Sequence, residues 1–358
     1  MNQALFGEPV PVPNEAEVFE LSQQQIDALE RFLSRYDDDA NLHWQLARFI
    51  EGHLSNFDYY GQTLTASQAL QDQKGDCMSL AIITAAFTRH LGLEHNYQLM
   101  LTPPTFERHD DLVLVSDHVR TRVYPPAGLE DNDRSDRSTR RAIIDYFPSR
   151  ERQPSRPVAE DEFLAMYYRN VAAEVLVEGE LEHAFWLIEK AARIDPDNAS
   201  VLNLAAVIHR RAGDYDTAEA LLRYTAGKHP NDVNVLHNLH TVLERRGHDT
   251  EARAVLERLA HLPDHNPYPR LMLARELVES GQLDRALEIY EAVIEQMPYV
   301  HMAYWGLATV HYKQGDEFRA RQAMEQALEL AHAPRHERMY TAKLDSLEVA
   351  NPKGHAMP

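Results

Sequence analysis

Apolar positions along this chain follow a helical period at both ends and an alternating one in between. Ile26, Leu29, Phe32 and Leu33 form one stripe; Leu42, Leu46, Phe49 and Ile50 form another, with Trp44 beside it. Spacings of three and four put such residues on one helix face, so residues 22–55 are predicted helical. A short helix is predicted from Thr65 and Ala66 to Gln71, and a longer one opens at Cys77 and closes at Leu91-Gly92. The period then changes. Residues 97–101 read as a strand stopped by Pro103-Pro104. Residues 112–124 alternate and stop at Pro125-Pro126, and residues 142–147 form a third strand stopped at Pro148. A charged loop, residues 130–137, separates the last two, and His109 falls in a loop before them. This order predicts a small α+β domain over residues 21–150.

The C-terminal half repeats. Gly179, Gly213, Gly247, Gly281 and Gly315 recur every 34 residues, and Ala184, Ala218, Ala252, Ala286 and Ala320 keep the same step. Pro196, Pro230 and Pro298 hold a third register, replaced by Asp264 and His332 in the other copies. Each Gly fits the left-handed residue that ends a first helix. Each Ala fits a close contact early in a second helix, and each Pro fits the break between repeats. A helix–turn–helix unit of this period resembles the tetratricopeptide repeat (TPR) family. Five repeats are expected over residues 163–334, starting at Ala165, Ala199, Val233, Pro267 and His301, with a capping helix over 335–350. The resemblance implies an all-α solenoid whose groove takes a protein or peptide partner. By repeat register the groove candidates are Arg169, Asn203, Arg210, His237, Glu244, Arg275, Trp305 and Tyr312. Trp305 and its neighbour Tyr304 also suit a stacking role in the core.

Cys77 is the single cysteine, carried by Gly75-Asp76-Cys77 into the first turn of a helix. The positive end of the helix dipole favours a thiolate there. Asp76 suits a helix cap, but its charge opposes that thiolate. His118 stands in the second long strand, and Asp145 in the third, flanked by Ile144 and Tyr146. A carboxylate among apolar residues needs a partner, and an imidazolium is a good one. The order Cys, His, Asp, with Leu91-Gly92-Leu93 closing the helix, resembles the transglutaminase-like, papain-related superfamily over residues 60–148. The resemblance implies Cys77 as nucleophile, His118 as general base and acid, and Asp145 as the orienting carboxylate. Met78 after the cysteine, His118-Val119-Arg120 and Asp145-Tyr146-Phe147 depart from the family's pattern and argue against protein cross-linking. Gln62 and Gln68 are candidate oxyanion donors beside the Cys77 backbone N–H.

Together the two halves resemble a family of bacterial envelope proteins, a likeness to which Thr63-Leu64-Thr65-Ala66-Ser67 adds. That implies an envelope or periplasmic protein if an export signal was removed, and a cytoplasmic one otherwise. The fold class expected is a transglutaminase-like α+β domain followed by a TPR solenoid. The function expected is cysteine-dependent hydrolysis of a peptide or isopeptide amide, with the array recruiting a protein. An inactive peptide-binding scaffold is the alternative, and a third arrangement has the repeats covering and regulating the thiol cleft.

Charge and composition narrow the partners. The formal net charge is −20 across 358 residues, against nucleic acid and anionic lipid. No apolar run is long enough to span a bilayer. One cysteine excludes an internal disulfide. Nineteen histidines, His90, His95, His332 and His336 among them, show no HExxH or paired His/Cys spacing, so no metal site is expected. No phosphate-binding glycine motif appears, so no cofactor is expected either. Pro9, Pro11 and Pro13 among acidic residues mark residues 1–20 as a flexible, solvated tether.

Overall fold

The computed structural model describes residues 1–36, 41–54, 57–58, 62–100, 105–109, 112–116, 118–126, 141–145, 154–260, 262, 267–331, 338–341 and 343–344. It divides into two compact units, Met1–His229 and Pro230–Pro358.

The first unit opens with α1 (Glu15–Val18), α2 (Gln23–Leu33), α3 (Leu42–His53), α4 (Ala66–Asp72) and α5 (Cys77–His90). Strands β1 (His95–Met100), β2 (Thr105–His109), β3 (Leu112–Ser116), β4 (Val119–Val123), β5 (Ala142–Ile144) and β6 (Ser155–Val158) follow. Helices α6 (Glu160–Val177), α7 (Leu181–Ile194), α8 (Ala199–Arg211) and α9 (Tyr215–Lys228) complete the unit. An antiparallel sheet runs β5-β4-β1-β6, and β2 pairs with β3 in a separate hairpin. The strand expected over 112–124 is thus two strands in two sheets, and His109 ends β2 instead of lying in a loop. Alternation fixes which face a residue takes but not which neighbour its strand joins, so a change of sheet leaves no mark in the period. β6, which pairs with β1, had no sequence expectation. Residues 130–137 and 146–147, and His332 and His336, lie outside the described residues.

α5 is the axle of the head. Met78 through Thr88 are all buried, because the helix packs on two sides at once. Met78, Ala81, Ile82, Ala85 and Ala86 join one apolar cluster; Leu80, Ile83 and Phe87 join a second with α3 and β5. The first cluster continues without a break into Phe163, Tyr168, Phe185 and Ile208 of the helical region. The expected boundary between a 21–150 head and a 163–334 array is crossed by this shared core, and the first four array helices fall in the same compact unit as the head.

Residues 1–20 are docked, not solvated. Phe6 is 1 % exposed and stacks on Phe185 with ring centroids 3.9 Å apart. Its backbone carbonyl accepts from Trp186 Nε1 at 3.4 Å. The Pro13 carbonyl accepts from Tyr168 Oη and Lys190 Nζ, each at 2.9 Å. Asn2 and Gln3 donate to Asp214 and Glu189, and Val18 and Phe19 are buried. Asn14 and Glu17 form a capping box that starts α1. Prolines and acids mark a chain unable to make regular structure by itself; apolar anchors pin it to a neighbour instead.

The second unit holds α10 (Val233–Arg245), α11 (Asp249–Ala260), α12 (Pro267–Glu279), α13 (Leu283–Gln296), α14 (His301–Lys313) and α15 (Glu317–Glu329). Residues 338–341 and 343–344 of the expected cap are helical; Tyr340 is fully buried and His301 Nδ1 lies 2.7 Å from its hydroxyl. The remainder of 335–350 lies outside the described residues.

The five repeat glycines share one conformation, with φ between +74° and +90°. At each, the glycine N–H bonds three residues back, as in Gly213 to Arg210, and the next N–H bonds five back, as in Asp214 to His209. This pair of bonds is the Schellman stop, which needs a left-handed residue that an L side chain strains. The five alanines of the second helices are buried, four of them completely.

Phe6→Ala is expected to cost about 3–5 kcal/mol of unfolding free energy, the usual loss for a buried aromatic. Urea denaturation would read it as a lower midpoint. A loss below about 1 kcal/mol would show that the N-terminal segment is not held in solution.

Candidate functional site

The expected triad is built from three elements. Cys77 opens α5, His118 immediately precedes β4, and Asp145 immediately follows β5. β4 and β5 are paired neighbours, which brings the last two together. His118 Nε2 lies 2.7 Å from Asp145 Oδ1, with the carboxylate side chain 7 % exposed. The backbone N–H of Val119, the residue after His118, donates toward the Cys77 sulfur. The Cys77 thiol and the His118–Asp145 pair thus lie on adjoining backbone.

Electrostatics work against a resting thiolate. Cys77 is half-buried, and desolvation first, then the neighbouring Asp76 charge, pushes its thiol up to about 12. Backbone N–H groups of Val119, Met78 and Cys77 itself pull the other way. Asp76 is fixed where it stands. Its Oδ1 accepts the Ser79 N–H at 2.7 Å, closing a capping box on α5, and its Oδ2 accepts the Thr63 hydroxyl at 2.7 Å. Gly75 permits this tight turn: a Cβ there would come within 2.6 Å of Ser79 Cβ.

The segment before α4 is tied to α6 as well. Thr63 N–H donates to both carboxylate oxygens of Glu174, at 2.9 and 3.2 Å, and Gln62 Nε2 donates to Glu178. Burial above all, with Asp76 and Glu178 adding, pushes Glu174 up to about 7. A chain of contacts therefore runs Glu174–Thr63–Asp76 into the Cys77 turn. The oxyanion expectation finds no support in the side chains named for it. The Gln62 amide is taken by Glu178, and Gln68 accepts from Thr65 in the α4 capping box. The contact of Glu174 with Thr63 carries no sequence signal because it spans 111 residues.

The repeat-register candidates divide between the units. In the first, Arg169, Asn203 and Arg210 are half-buried, and Arg169 Nη2 donates to Asn170. A cleft of about 650 Å³ lies beside the docked N-terminal segment, lined by Val10, Val12, Glu15, Trp186, Lys190 and Arg193. In the second, His237 is half-buried, Glu244 and Arg275 are exposed, and Tyr312 is 55 % exposed. Arg275 pairs with Glu279 at 3.0 Å. Trp305 packs toward Tyr340, with ring centroids 6.4 Å apart, in the core role open to it.

Residues 271–336 match the tetratricopeptide repeat family. The helical array is built of TPR repeats. Residues 158–269 match the coatomer epsilon subunit family, and neither match reaches the Cys77 head. No curated protein matches the sequence. Among solved structures the chain is similar to YrrB, described as a TPR protein with an unusual peptide-binding site, at 22 % identity over 50 % of this chain and 92 % of that one, with a TM-score of 0.36. Yeast Tom70 is similar at 18 % identity over 52 % of this chain and 40 % of that one, with a TM-score of 0.48. PilF of Pseudomonas aeruginosa is similar at 17 % identity over 55 % and 94 %, with a TM-score of 0.43. The TPR helices of this chain begin at Ala199, Val233, Pro267 and His301, while the first, α6, starts at Glu160, ahead of Ala165.

Glu174 makes stability depend on pH. Its folded carboxyl holds a proton more tightly than its ordinary value of 4.5 allows, so stability falls as pH rises from about 4.5 to about 7. Glu174→Gln keeps an acceptor for Thr63 and removes the titration. Thermal midpoints measured across pH 4–8 (roughly the window of that shift) should show the variant gaining on the wild type as pH rises. Parallel profiles would refute the assignment.

Proposed function

We propose that this chain is a TPR scaffold that binds an extended peptide or protein segment. The observation that supports this most is the docking of residues 2–19 on the first repeats. An aromatic side chain fills an apolar slot, and backbone carbonyls accept from Trp186, Tyr168 and Lys190. Those are the elements of peptide recognition: side-chain pockets for specificity and main-chain hydrogen bonds for affinity. The partner segment would lie along the first helices of the second unit, where Arg275 and Tyr312 stand exposed. A displayed peptide library selected on the full chain tests this. Selected peptides should bind Arg275→Glu and Tyr312→Ala at least tenfold more weakly (roughly 1.4 kcal/mol each), with helicity by circular dichroism unchanged. Failure to select any peptide, or affinities indifferent to both changes, would reject the reading.

A second reading keeps the transglutaminase-like chemistry, favoured by the His118–Asp145 contact beside the Cys77 sulfur. Cys77 sulfur attacks an amide carbonyl and gives its proton to His118. The C–N bond breaks as His118 passes that proton to the leaving amine, and Asp145 holds the ring. Water then cleaves the thioester, restoring the thiol and releasing the acid. The raised Cys77 thiol weighs against this in the resting protein and puts the scaffold first. Iodoacetamide alkylation of Cys77 across pH 5–10 (roughly spanning the ordinary His and Cys ranges) separates the two. An activated thiol gives a reactive plateau below about pH 7 that His118→Ala abolishes. A rate that only climbs with pH, equal in both proteins, leaves the scaffold alone.

A further inference from the structure

α10 and α12 are the first helices of successive repeats in the second unit, and three ligand-type side chains converge between them. His240 and Glu244 stand one turn apart on α10, and Glu276 comes from α12. His240 is 3 % exposed, a polar ring placed almost wholly out of water. Nδ1 faces Glu244 Oε2 at 3.8 Å and Nε2 faces Glu276 Oε2 at 4.0 Å. Both separations exceed hydrogen-bond reach. Among the described residues no hydrogen bond to this ring is formed. One donor atom from each of the three side chains lies within 4.8 Å of the other two.

The His240 ring, 3 % exposed, turns one nitrogen toward each carboxylate. Glu244 and Glu276 bring two carboxylates toward the same ring, where like charges repel. Arg275, the cation that counters this, is shared with Glu279 at 3.0 Å. A metal ion would give the ring a partner and neutralise the carboxylates. With bonds of about 2.0–2.2 Å to nitrogen and oxygen, donor atoms around a tetrahedral ion stand closer together than these do. The exposed Glu244 side chain has the freedom to close that gap. One nitrogen and two carboxylates are a borderline-hard set, suited to zinc, manganese or iron(II) over copper(I).

We propose that His240, Glu244 and Glu276 bind a divalent transition-metal ion, with zinc as the test case. The ion would fasten α10 to α12 and leave a coordination position open to water. The sequence hides this site because its ligands come from two repeats. His240 and Glu244 are spaced for one helix face, but Glu276 lies 36 positions after His240, two past the repeat step, and no local motif joins them.

The test uses the full chain, stripped with EDTA and desalted, then titrated with zinc chloride by calorimetry. The expected result is one saturable site per chain with micromolar or tighter affinity, and a thermal midpoint raised by zinc. Glu244→Gln, at an exposed position, should weaken zinc about tenfold with helicity unchanged, and Glu276→Gln should weaken it about a hundredfold. Zinc binding that survives both substitutions would assign the ion to other histidines of the chain and overturn the proposal. So would the absence of a saturable site in the wild type.

Discussion

One apolar core joins the Cys77 head to the first TPR repeats, and the rest of the first unit depends on it. α6 must act at once as the first helix of the array and as a wall of the head. Phe163 shows how. It stacks on Tyr97 of β1 with ring centroids 3.6 Å apart, while Phe19 of the N-terminal segment lies 6.5 Å away. Arg89 of α5 then lays its guanidinium 3.6 Å over the Phe19 ring. A helix apolar on one stripe must bury that stripe. In a repeat array the end helix has no preceding repeat to cover it. Here the sheet, α5 and residues 1–20 provide the cover.

That constraint explains where sequence reading succeeded and where it stopped. The repeats were legible because their signals are backbone demands: a left-handed residue at Gly213 and its equivalents, a small one at Ala218 and its equivalents. Such demands recur wherever the unit recurs. The facing of His118 and Asp145 was legible for a related reason, since a carboxylate beside Ile144 needs a partner. The docking of the N-terminus was not. Its anchors, Phe6, Val18 and Phe19, are spread through a run of prolines and acids and show neither a helical nor an alternating period. Asn14 and Glu17 were the available local signal, as a capping box for α1. Contacts such as Glu174 to Thr63 have no local signature at all, because they depend on how two distant elements meet.

Acidic side chains do unequal work in the two units. The formal net charge is −20, which favours solubility at the cost of self-repulsion in the compact state. Glu174 and Glu276 are withdrawn from water and have their carboxyls shifted for it. Both sit in first helices of repeats, and both are pushed up to about 7, chiefly by burial. Glu174 is compensated by backbone, through the Thr63 N–H, and so acts as a fastener between array and head. Glu276 faces an imidazole at 4.0 Å and another carboxylate, and among the described residues no backbone donor meets it. A backbone N–H meets the first acid, and a histidine and a second carboxylate face the other.

Cys77 carries the sharpest conflict in the molecule. The start of α5 supplies the Cys77 and Met78 N–H groups toward the sulfur and β4 adds that of Val119, the environment a thiolate wants. The same turn needs a cap, and the cap is Asp76, whose charge a thiolate does not want. Asp76 cannot move away, because it also holds the Thr63 hydroxyl and through it the contact with α6. Folding has therefore set a negative charge beside the chain's single cysteine. Loss of the thiol proton to water is the costly route. If Cys77 does chemistry, the proton must pass to His118, with the charge thereby created held as an ion pair between sulfur and imidazolium. In that reading Asp145, 2.7 Å from the ring, would stabilise the cation on which such a pair depends.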